Sequence, residues 1–106
     1  MKLPELADYL ASPSRLRALC QMLGISEEAL EDGEVAIYME NSLNLESEVR
    51  LFEAAETDDL LEFQKDGVQY RYMLEANLAA ELLEGAKGSG PLAKAERVLH
   101  YAIYDA

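Results

Sequence analysis

Glu34 to Leu51 reads EVAIYMENSLNLESEVRL, and the period of its apolar residues decides the fold class. Val35, Ile37 and Met39 alternate with Ala36 and Tyr38, the two-residue period of a strand. Asn41 and Ser42 then form a tight-turn candidate. Beyond them Leu43, Leu45, Val49 and Leu51 alternate with Asn44, Glu46, Glu48 and Arg50. That pattern predicts a half-buried strand with one apolar and one charged face, either continuous or broken near Ser47.

On the N-terminal side the apolar period is helical. Leu3, Leu6 and Leu10 predict a first turn or two of helix. SPSRLRALCQMLGI predicts a second, with Ser12 at the N-cap, Pro13 at the first helical position and Gly24 at the end. Leu16, Leu19 and Leu23 mark its buried stripe. SEEALEDG is a short acidic helix or turn closed by Gly33.

On the C-terminal side, TDDLLEFQKDGVQYRYML reads as a hairpin turning at Asp66–Gly67, with a helix interrupted at Gly67 as the alternative. MLEANLAAELLEG reads as a helix, with Asn77, Glu81 and Glu84 on one face and a broad arc of leucine and alanine opposite. An arc that wide asks for cover on more than one side, against a sheet and against a second copy, and its small alanines would allow a second helix to approach closely. PLAKAERVLHYAIYDA fits a helix by propensity and a strand by alternation, and both readings stand. The expected fold is a single α+β domain over residues 1–106. It has N-terminal helices and an antiparallel sheet of three to five strands packed on one long apolar helix.

Half of the 106 residues are apolar, enough for one modest core. No signal-peptide pattern and no long apolar run is expected to direct the chain to or through a membrane. The single cysteine, Cys20, sits among leucines at helical spacing, which suits a buried thiol in a reducing cytoplasm. Thirteen acidic side chains and one basic one fall in residues 26–64, and this third carries the whole net charge of -12. Such a field repels nucleic acid and anionic membrane and favours basic partners.

The chemistry-bearing residues do not assemble into a catalytic pattern. EGAKGSGP (84–91) has the glycines and lysine of a phosphate cradle. However, a helix precedes it, Lys87 is followed by Gly88, and Pro91 removes an amide. It reads instead as a helix-ending connector. His100 lacks a nucleophile, and no His or Cys stands at metal-ligand spacing. ETDDLLEFQKDG lacks the alternating oxygen ligands and terminal glutamate of a calcium loop. LGIS lies between two helical segments, but a recognition helix carrying Glu27, Glu28, Glu31 and Asp32 would be repelled by phosphates. The expectation is a binding protein and not an enzyme, with no cofactor and no metal.

YMLEANLAAELLEGAKGSGPLAKAERVLHYAI, preceded by EVAIYMENSLNLESEVRLFEAA, resembles the small acidic chaperones of type III secretion, the Tir-chaperone family. Leu74, Glu75, Ala76, Asn77 and Leu78 match that family's dimerisation-helix stretch, and Gly85–Ala86 falls at its glycine break. The resemblance implies a homodimeric cytoplasmic chaperone that holds an extended partner segment along its sheet, with a strand hairpin after the break. On that reading Val35, Ile37, Met39, Leu43, Leu45, Val49 and Leu51 line the sheet and supply the partner contacts, while Leu78 and Leu82 supply the dimer interface. The alternative is an acidic inhibitor or nucleic-acid mimic, of phage anti-defence or toxin-immunity type, acting through the carboxylates of residues 26–64.

Overall fold

The computed structural model describes residues 1–58, 60–84 and 90–104, and it is an α+β fold. Most of the glycine stretch, residues 85–89, lies outside the described residues. Helices α1 (Leu3–Leu10), α2 (Pro13–Met22) and α3 (Glu27–Glu31) precede strands β1 (Val35–Glu40) and β2 (Val49–Glu53). A short helix, α4 (Ala54–Thr57), leads to the hairpin of β3 (Glu62–Lys65) and β4 (Val68–Glu75). Helices α5 (Ala76–Leu83) and α6 (Pro91–Tyr104) follow. The sheet is antiparallel, in the order β2-β1-β4-β3.

The local signals act as their chemistry requires. Pro13 opens α2, although the Ser12 side chain makes no cap hydrogen bond. Gly24 (φ 76°) closes the helix, with Gly24 N–H on the Gln21 carbonyl and Ile25 N–H on that of Cys20. Ser26 caps α3 by accepting from Ala29 N–H at 3.1 Å. Asp66 (φ 52°) and Gly67 (φ 79°) both take the left-handed conformation, which a two-residue hairpin of this kind needs. The hairpin reading of residues 57–72 therefore holds for the strands themselves.

Two boundaries differ from the expected ones. The alternating run 43–51 is a strand only from Val49, because its polar residues bond the local backbone instead of a neighbouring strand. Asn44 Oδ1 accepts from Glu46 N–H at 2.8 Å, and Ser47 Oγ donates to the Ser42 carbonyl at 2.7 Å. Leu43 and Leu45 lie half-buried against the core from this loop. The helix expected from Met73 begins only at Ala76: Met73 and Leu74 belong to β4, and Glu75 caps α5 by accepting from Leu78 N–H at 2.8 Å. Opposite β1 the register steps from Ile37↔Leu74 to Tyr38↔Tyr72, leaving Met73 as the extra residue of a bulge. Met73 and Leu74 can thus both be buried on one side.

Residues 91–104 settle as a helix, where the resemblance implied a strand hairpin. Ala95, Val98 and Leu99 form its buried stripe, and the helix packs on α1, α5 and β4. It is the longest helix among the described residues, whereas α5, expected to be the long one, spans eight. The wide apolar arc of α5 is covered within the chain by α1, α3, α6, β1 and β4.

The sheet has two unlike sides. Val35, Ile37, Met39, Val49, Leu51, Met73 and Leu74 join the aliphatic core beneath the helices. Ala36, Tyr38, Phe52 and Tyr70 form a second cluster on the other side, flanked by Phe63, Val68 and Tyr72. The connection from β2 to β3 runs from one edge of the sheet to the other across this aromatic side. There the Tyr38 hydroxyl donates to the Leu60 carbonyl at 2.6 Å.

Candidate binding groove along the edge of β2

β2 is an edge strand, and its register fixes which backbone groups point away from the sheet. Glu40 N–H bonds the Glu48 carbonyl and Ala54 N–H that of Glu34, so 48, 50, 52 and 54 turn their backbone groups toward β1. Residues 49, 51 and 53 therefore turn theirs outward. Val49 N–H is taken by the Met1 carbonyl at 2.8 Å, in a short antiparallel contact that also pairs Lys2 with Glu48. The outward N–H and C=O of Leu51 and the outward N–H of Glu53 have no partner among the described residues.

These open groups lie in a groove of about 400 Å³. Leu6, Leu19, Leu23 and Ile25 wall it on the helix side. Phe52, Glu56 and Lys65 stand on the aromatic side, and Met1 closes one end. Leu23, expected to be buried, is 52% exposed here, because α2 ends at Met22 and the Gly24 turn swings it out. Beside it Met22 is 79% exposed. An open strand edge next to exposed aliphatic side chains is the arrangement that accepts an added strand, the main chain giving affinity and alternate side chains giving specificity.

The charged groups of the groove are mostly occupied. Glu53 Oε1 accepts from Ser26 N–H (3.3 Å) and Ser26 Oγ (3.2 Å), tying the start of α3 to β2. Lys65 pairs with Glu56 and lies over the Phe52 ring. Arg50 donates to the Tyr70 hydroxyl at 3.0 Å, and this bond raises its pKa further above the usual guanidinium value.

The expected contact residues divide into three groups. Val35, Ile37 and Met39 are fully buried in the middle of the sheet, out of reach of any partner of the folded chain. Leu43 and Leu45 sit in the loop before β2, away from the groove. Val49 and Leu51 do line it. Leu78 and Leu82 of α5 are half-buried against the chain's own core. Sequence reasoning missed Leu23, Ile25 and the open backbone of Leu51. The signal available was Gly24, whose turn exposes Leu23 and aims Ile25 at β2.

Cys20 is buried in the aliphatic core, and burial pushes its thiol pKa up. Among the described residues no group of His, Cys, Asp and Glu can hold a metal, and no helix is long and apolar enough to cross a membrane. The chain matches no known protein family, no curated protein and no solved structure with which it was compared.

Proposed function

We propose that this chain is a protein-binding module that takes an extended segment of another protein as an added strand on the free edge of β2. The observation that carries the reading is the outward N–H and C=O of Leu51, which have no partner among the described residues, within a partly apolar groove. A guest strand supplies the missing backbone partners. Its alternate side chains fall against the exposed Leu23 on one side and beside Glu56 and Lys65 on the other, over a base of the buried Leu6, Leu19, Ile25 and Phe52. The role is that of a holding protein that keeps a segment extended and performs no chemistry, as in the chaperone resemblance. The partner contacts move from the buried Val35, Ile37 and Met39 to Leu51 and its groove neighbours.

Glu53 offers a clean test. Its φ of -74° already suits proline, and its N–H points away from β1, so Glu53→Pro costs the sheet no ladder bond. The substitution removes an outward donor and places a ring in the path of a guest strand. Glu53→Ala removes the tie to Ser26 but keeps the N–H. Peptides selected from a displayed library on the wild-type chain should bind Glu53→Ala nearly as well and Glu53→Pro about tenfold or more weakly. Equal binding to both variants, measured by titration calorimetry, would place the guest elsewhere.

A further inference from the structure

A second groove, of about 310 Å³, lies between α2, α3 and α5, and the edge of β2 takes no part in it. Leu16, Leu30 and Ala80 form its floor. Glu31 of α3 stands on one wall, and Glu81 of α5 with its C-cap residue Glu84 on the other. Among the described residues none of these three carboxylates has an ion-pair partner, and Arg17, the basic residue that lines the groove, pairs with Glu27 at 3.2 Å. Glu27 and Glu31 are four residues apart on α3, and Glu81 of α5 is three residues before its C-cap Glu84, so like charges neighbour one another along each wall. Such pairs weaken a helix in isolation.

We propose that this groove receives a basic amphipathic helix presented by another protein. Charge complementarity identifies the occupant: lysine or arginine on its flanks would neutralise carboxylates on both walls at once, while a small apolar ridge meets Leu16, Leu30 and Ala80. The groove also dictates the guest's backbone. Its walls are helices, which present a guest no strand ladder to extend. A guest must satisfy its own backbone, and a helix does so. The side chain of Asn77 fixes the walls by donating to the Leu30 carbonyl, which locks α5 to the end of α3.

The test uses the full chain and a short synthetic helix of Lys, Ala and Leu, with the same helix carrying Glu for Lys as control. Neutralising the rim with Glu31→Gln, Glu81→Gln and Glu84→Gln together should weaken binding of the Lys helix roughly tenfold. Neutralising Glu5, Glu62 and Glu96 in the same way changes the net charge equally and should cost less than about twofold if only the distant field is altered. A third variant, Ala80→Trp, fills the floor without touching a charge and should abolish binding while circular dichroism stays that of the wild type. Equal weakening by the two neutralised triples, equal binding of the Glu helix, or no saturable binding would each overturn the proposal. None of these outcomes depends on Glu53→Pro, so the two grooves fail or stand separately.

Discussion

On the helix side of the sheet, Val35, Ile37 and Met39 meet aliphatic side chains brought from α1, α2, α5 and α6; on the other side Ala36 and Tyr38 meet rings carried by β2, β3 and β4. The first side is a broad cluster of small contacts, in which no single residue dominates. The second concentrates its contacts in a few large rings. Tyr38 stands edge-on to Phe52 (5.7 Å), Phe63 (5.0 Å) and Tyr72 (5.7 Å), and Phe52 and Phe63 in turn meet Tyr70 at 5.2 and 5.4 Å. Among the described residues it is the β2–β3 connection that reaches over this side, through the Tyr38–Leu60 bond, where the other side has α1, α2, α5 and α6 as cover. A thin cover therefore goes with quadrupolar ring geometry and a directional hydrogen bond, where a thick one works by area alone.

Adjacent residues on β1 allow the two sides to be weighed in one strand. Tyr38→Ala should cost the most, about 3–5 kcal/mol in urea unfolding, because it empties the centre of the ring cluster. Ile37→Ala should cost somewhat less, about 2–4 kcal/mol, since the helices can partly close over the lost volume. A larger loss at Ile37 would reverse the comparison. Tyr38→Phe keeps the ring and removes only the bond to Leu60, leaving that carbonyl without its donor. It should cost about 1 kcal/mol, and an undiminished midpoint would mean that the connection does not depend on this bond.

The smallest effect belongs to the helix side and depends on pH. Burial raises the folded-state pKa of Cys20, so the unfolded chain releases its thiol proton first as pH rises. The resulting stability is fully present below the unfolded thiol value of about 8.5 and is lost as pH climbs through the folded value. The wild type should thus lose more stability between pH 7 and pH 10 than Cys20→Ala does. A parallel decline of the two proteins would contradict the burial of this thiol.

What could be read from sequence followed from the range of the interaction involved. Pro13, Gly24 and the Asp66–Gly67 turn act on backbone within a few residues, and each sits where its chemistry predicted. The run 43–47 misled because alternation alone cannot tell a strand from a loop whose Asn44 and Ser47 bond their own neighbours. The start of α5 misled for a related reason: Met73 and Leu74 fit both periods, and only the bulge opposite β1 assigns them to the strand. Gly24 signalled the exposure of Leu23, but the open edge itself was illegible, since no residue of β2 states whether a neighbour will cover it.

By itself, then, the sequence determined the α+β class, the first two helices, β1 and the acidity of the middle third, and it favoured the hairpin, because propensity, turn chemistry and charge are local or additive. The tertiary structure alone decided that residues 91–104 coil into a helix on α1, that β2 lies at an edge with Leu51 open, and that the carboxylates of α3 and α5 face one another. These are pairings between distant segments. The free energy that selects them comes from apolar area buried between elements, which no window of sequence contains.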